Sequence, residues 1–174
     1  MELVADLVKI ILPSGLILWA MYLTVSSFIK KDLTQKSLEI KARNLETILP
    51  IRIQAYERMT LFLERITPNN LLVRLSGRSV HSLDFQQLLL SEIRDEFSHN
   101  LSQQIYMSAE AWEAIRRAQQ EITTLINLAS KDISLDTPSI ELSKRIMQIV
   151  IENGANPTEE ALKIIKEEFR SNFL

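Results

Sequence analysis

The chain has 174 residues, 46% apolar and 24% charged, with 20 Lys plus Arg against 22 Asp plus Glu and no Cys. That balance is too apolar and too close to neutral for a chain disordered throughout. Without Cys there is no disulfide, Fe–S cluster, thiol nucleophile or c-type haem attachment, and a net charge of −2 lacks the basic excess of a nucleic-acid binder.

The first element is a run of 20 residues without a charge, Ile10 to Ile29. A helix rising about 1.5 Å per residue over that length spans the roughly 30 Å hydrocarbon core of a bilayer. A cleaved signal peptide wants a basic start and a shorter apolar stretch, whereas Glu2 and Asp6 here outnumber Lys9. The run therefore predicts a retained transmembrane anchor. Pro13 and Gly15 fall in its first turns, where a missing backbone bond disrupts the helix least. Lys30, Lys31, Lys36, Lys41 and Arg43 flank its C-terminal end, and the excess of positive charge predicts a single pass with the N-terminus outside and residues 30–174 in the cytoplasm.

From Leu33 to Ile66 the chain reads as one long helix leaving the membrane. Positions 38, 42, 45, 49, 52, 56, 59, 63 and 66 alternate in steps of four and three, and all but Arg52 are apolar or aromatic. Leu38, Leu45, Leu49, Arg52, Tyr56, Met59 and Leu63 thus form a candidate interaction seam, which suits a parallel coiled coil. Ile48, Ile51, Ala55 and Phe62 add a second apolar row beside it, which suits a helix packed into a globular core. Both readings stand. Pro50 removes one backbone bond and predicts a kink or a break near Leu49.

Thr67-Pro68 caps a short helix through about Leu75, ended by the polar loop Ser76-Gly77-Arg78-Ser79. Ser82 and Asp84 open a helix with Phe85, Leu88, Leu89, Ile93 and Phe97 on one face. The stretch from Asn100 to Met107 carries no clear pattern. Ser108 caps a helix lined by Trp112, Ile115, Ala118, Ile122, Leu125, Ile126 and Ala129. Thr137-Pro138 starts another, with Ile140, Met147, Val150 and Ile151, closed by Asn153-Gly154. Asn156-Pro157-Thr158-Glu159 caps a last helix carrying Leu162, Ile165, Phe169 and Phe173. No segment alternates with period two for long enough to be a strand. The expected fold is all-α: an anchor over residues 1–30, a juxtamembrane helix over 31–66, and a helical bundle over 67–174 packed on it.

Reactive constellations are scarce. Of the two His, His81 lies in a polar loop beside Arg74 and Arg78. His99 follows Glu92 and Glu96 on one helical face, and Glu96-x-x-His99 has the spacing found in carboxylate-bridged di-iron bundles. Such a centre needs two of these motifs and two further Glu, and the chain supplies one; a His favoured by the dipole at a helix C-terminus explains the same residue. There is no nucleophile elbow and no Gly-rich phosphate loop. No catalytic residue, cofactor or small-molecule substrate is expected.

The segments Ile48-Leu-Pro-Ile-Arg-Ile-Gln-Ala-Tyr-Glu-Arg-Met, Leu63-Glu-Arg-Ile-Thr-Pro-Asn-Asn-Leu and Glu92-Ile-Arg-Asp-Glu-Phe-Ser-His-Asn-Leu-Ser-Gln-Gln resemble a family of small, uncharacterised, membrane-anchored proteins of Bacteroidota. The resemblance implies a bacterial inner membrane and supplies no functional residues. The expected function is non-enzymatic: an interaction module or accessory subunit at the cytoplasmic membrane surface, whose partners are the bilayer and another protein or a second copy of itself. Two other classes are a metal-dependent hydrolase or metal enzyme using Glu92, Glu96 and His99, and a stalk subunit of a larger membrane complex.

Overall fold

A computed structural model describes the backbone of residues 2–131, 133–134, 136–154 and 156–173, with side chains from Ser14 onward. The described residues are all-α, in six helices: α1 (Glu2–Ile66), α2 (Pro68–Leu75), α3 (Ser82–Asn100), α4 (Ala109–Lys131), α5 (Ser139–Asn153) and α6 (Pro157–Phe173). The patternless stretch after α3 is a 3₁₀ helix, Leu101–Tyr106. The chain divides into two units, Met1–Leu49 and Pro50–Leu174.

Within the first unit the described side chains are exposed all round the helix, with Ser26 and Asp32 partly covered. Several of its hydroxyls turn back on the helix itself: Thr24 Oγ1 donates to the Ala20 carbonyl at 2.8 Å and Ser26 Oγ to that of Leu23 at 3.1 Å. Among the described residues no helix is long and apolar enough to cross a membrane. Ile10 to Pro13, which complete the charge-free run, lie outside the residues whose side chains are described, and so do Glu2, Asp6 and Lys9. Helical structure runs unbroken through Pro50, so the expected break near Leu49 does not form. Pro50 has no N–H to donate to the carbonyl of Glu46, four residues earlier.

The second unit is the bundle. Helix α4 packs against α3, α5 and α6, and α2 packs against α3 and α5. Its inner stripe of Ala111, Ala114, Ile115, Ala118, Ile122, Leu125, Ile126 and Ala129 is buried, the spacing of a helix covered along one broad face. The C-terminal end of α1 contributes Ala55, Tyr56, Met59, Phe62, Leu63 and Ile66 to the core. Phe62, Phe97 and Trp112 form an aromatic run with centroids 5.7 and 5.5 Å apart. Each large side chain fully buried here is worth about 1.5–3 kcal/mol relative to an exposed one.

The caps behave in part as the sequence suggests. Ser108 Oγ accepts from the Ala111 N–H at 3.1 Å, and Asn156 Oδ1 accepts from the Thr158 N–H at 3.2 Å. Gly154 closes α5 in the left-handed conformation, φ 64°. Thr67 does not cap α2; its hydroxyl donates back to the Leu63 carbonyl at 2.9 Å and lies 2.9 Å from the Thr158 hydroxyl of α6. The face expected for α5 is also turned. Leu142, Ile146 and Ile149 are the buried residues, Met147 and Val150 are only partly covered, and Ile140 and Ile151 point to solvent. With apolar side chains over a broad arc of this short helix, its own period does not choose among them, and the packing on α4, α3 and α2 does.

A contact far apart in sequence joins the starts of α3 and α5. The Ser82 N–H donates to the Thr137 carbonyl at 2.8 Å and the Ser139 N–H to that of Val80 at 2.9 Å. Ser82 Oγ donates to the Ser134 carbonyl and Ser139 Oγ to the Ser79 carbonyl. Polar loops that a sequence reading leaves as solvent-facing connections thus satisfy each other's backbone.

Candidate interaction site

The residues of the heptad seam meet two fates. Leu38, Leu45 and Leu49 are 60%, 66% and 43% exposed, whereas Tyr56, Met59 and Leu63 are at most 2% exposed. The row beside it divides at the same place: Ile48 and Ile51 are exposed, Ala55 and Phe62 buried. Lys30, Lys31, Lys36, Lys41 and Arg43 are all exposed, and Lys36 pairs with Asp32 at 3.0 Å.

Arg52, the charged member of the seam, has its own surroundings. Its Nε donates to the Tyr106 carbonyl at 3.4 Å, and its guanidinium lies 5.1 Å from the centre of the Phe173 ring. One turn on, the Tyr56 ring meets Phe169 and Phe173 edge-on, at 5.7 and 5.6 Å. Its hydroxyl donates to Glu168 Oε1 at 2.5 Å. The same carboxylate takes the Ser108 N–H at 2.9 Å and the Ser108 hydroxyl at 2.6 Å. Glu168 thereby ties α6 to α1 and to the residue that caps α4.

Burial alone pushes the Glu168 carboxyl up, but the Ser108 hydroxyl, the Tyr56 hydroxyl, the Ser108 N–H and the Arg52 charge together hold it below the usual carboxylate range. Burial, then the adjacent carboxylate, pushes the Tyr56 hydroxyl up. Both shifts describe a neutral phenol donating to an ionised carboxylate. This is an interhelical latch. Sequence reasoning passed over Glu168, although a signal exists: it stands three residues after Ile165 and seven after Ala161, on the apolar face of α6.

Beside the latch, α1 and α6 leave an apolar groove of about 570 Å³. Ile53, Tyr56, Leu61, Ile165 and Phe169 line it, with Glu57, Lys166 and Arg170 among the residues at its edge.

The acidic face expected to approach a metal is otherwise engaged. Glu92 pairs with Arg74 of α2 at 2.6 Å, and Glu96 with Arg65 of α1 at 2.6 Å. His99 is exposed, and its Nδ1 lies 2.7 Å from the Asp95 carbonyl in its own last turn. Among the described residues no three His, Cys, Asp or Glu side chains gather as a metal would need. His81 is exposed in its loop, with Nδ1 3.4 Å from the Asp136 carbonyl.

No curated protein matches the chain, and no solved structure does. A family profile described as a family of unknown function (DUF7935) matches residues 2–172. Because that match takes in the whole of α1, the latch and nearly all of α6, the chain belongs to the family of unknown function DUF7935.

Proposed function

We propose that this chain is a non-enzymatic interaction module, held by one span of its N-terminal helix in a bacterial inner membrane, with residues 30–174 at the cytoplasmic surface. The observation that carries the reading is the unshared apolar surface of the first unit. Leu16, Ile17, Leu18, Trp19, Met21, Tyr22, Phe28 and Ile29 are exposed, while the bundle has its own core. Contiguous apolar surface of this kind marks a lipid or protein contact. The described hydroxyls of Thr24 and Ser26 donate to the helix's own carbonyls, so hydrocarbon need not supply partners for them. The exposed Lys30, Lys31, Lys36, Lys41 and Arg43 favour the cytoplasmic side, where each cation near an anionic leaflet adds about 1 kcal/mol.

The seam from Leu38 to Leu49 is the surface offered to a protein partner. Because the chain has no Cys, a single cysteine reports its own exposure. The full chain is expected in the membrane fraction after alkaline extraction. A Ser37→Cys variant is expected to resist an impermeant maleimide in intact spheroplasts and to react once they are lysed. Release by alkali sinks the anchor; labelling before lysis inverts the orientation. Replacing Leu45 and Leu49 with Asp is expected to abolish recovery of crosslinked partners while the bundle melts unchanged. Undiminished recovery removes the seam as the contact.

A further inference from the structure

Deepening the reading of an anchored interaction module, we propose that the partner of the Leu38–Leu49 stretch is a second copy of this chain, packed parallel and in register. In heptad terms Leu38 and Leu45 occupy d, Ala42 and Leu49 occupy a, Glu39 and Glu46 occupy e, and Lys41 occupies g. All seven side chains are exposed in the single chain. Apolar a and d residues left exposed by their own chain are half of an interface.

Charge selects the other half. In a parallel, in-register pair the g residue of one helix faces the e residue of the next heptad on the other, five positions on. Lys41 of one copy therefore meets Glu46 of the other, and by symmetry the contact forms twice. An antiparallel arrangement sets e against e and brings Glu39 opposite Glu46, a like-charge contact. Neither Lys41 nor Glu46 is in an ion pair among the described residues, whereas Asp32 and Lys36 just before them pair within the helix. Ala42 at a lets the two backbones approach, and Gln35 at the preceding a position meets its own counterpart only when the two helices are in step.

Two heptads make a short coiled coil, and an isolated helix of that length is marginal in water. A shared membrane alters the balance, because both copies emerge in the same direction and are confined to one surface, which raises their effective concentration.

The test places single cysteines, one at a time, in the full Cys-free chain. Leu38→Cys, Ala42→Cys, Leu45→Cys and Leu49→Cys lie on the proposed interface; Ile40→Cys and Thr47→Cys lie at f, on its far side. All are exposed and outside the bundle core, so folding is not at stake. Mild oxidation in native membranes and in detergent is expected to give several-fold more disulfide dimer at all four interface positions than at the two f positions. In the Leu45→Cys background, Lys41→Glu is expected to cut the yield and Lys41→Glu with Glu46→Lys to restore it. Equal yields at d and f overturn the proposal. So does dimer confined to positions 42 and 45, the signature of an antiparallel crossing, and so does a disulfide to a different protein. The two readings fail separately: a chain found outside the membrane fraction ends the anchor and leaves the disulfide pattern to judge the dimer.

Discussion

Helix α1 carries the same four-and-three spacing of apolar and aromatic residues before and after Pro50, and the two stretches have opposite fates. Leu38, Leu45 and Leu49 stand exposed; Tyr56, Met59, Leu63 and Ile66 are sealed in the core. The side-chain chemistry is alike and so is the period. The difference is cover: after Pro50 the helix belongs to the bundle, and Phe97, Trp112, Ile165 and Phe169 are part of that bundle's apolar cluster. An apolar period therefore identifies a face that needs a partner and does not name the partner.

The strongest way to break this comparison is to truncate one residue on each side of it. Phe62→Ala is expected to destabilise the bundle by about 3–5 kcal/mol, because it removes a fully buried ring and leaves a cavity. Leu45→Ala is its counterpart. Thermal unfolding of the full chain in detergent reads both, and a comparable loss at Leu45 contradicts the division.

Next in size comes the latch between α6, α1 and the cap of α4. Glu168→Gln keeps the shape but weakens three hydrogen bonds to the carboxylate, and is expected to cost about 1–2 kcal/mol at neutral pH, discounted for a partly exposed site. The pH dependence has a definite sign. The folded state holds the Glu168 carboxyl below its ordinary value, so its contribution is present above about pH 4.5 and is lost as pH falls through the lower folded value. Denaturant midpoints measured from pH 7 to pH 3 are expected to fall more steeply in wild type than in Glu168→Gln. Parallel curves exclude the carboxylate as the source.

Ser108→Ala removes both the cap of α4 and one donor to Glu168, and about 1 kcal/mol is expected. Coupling to Glu168→Gln in a double-mutant cycle is the sharper readout, since residues in one network are not additive. Gly154→Ala forces a Cβ onto a left-handed backbone with no contact to relieve, and is expected to cost about 1 kcal/mol. The smallest effect belongs to the exposed seam: Leu45→Ala is expected to move bundle stability by no more than about 0.5 kcal/mol. Its consequence is read in crosslinking yield instead.

Much of the architecture was legible because it is local. Pro68 and Pro157 at first helical positions, the hydroxyl of Ser108, the amide of Asn156 and the left-handed Gly154 mark helix ends within a few residues of themselves. The stripe of α4 was legible because a long helix covered on one face keeps strict period. The face of α5 was not, since its apolar residues spread over about half of the helix's circumference and only neighbours choose among them. Nor was the latch: Glu168 lies 112 residues from Tyr56 and 60 from Ser108, and no local pattern announces that contact.

By itself, then, the sequence determined an all-α chain, the ends of most helices, and a long helix in which a charge-free run precedes an apolar-periodic stretch. Those properties follow from backbone geometry and the hydrophobic period, which act over one or two turns. Only the tertiary structure decided which half of that helix is core, that Glu92 and Glu96 face arginines on other helices, and that Arg52 is an aromatic and carbonyl contact. Each depends on which distant surface arrives to exclude water, and that is a property of the assembled bundle.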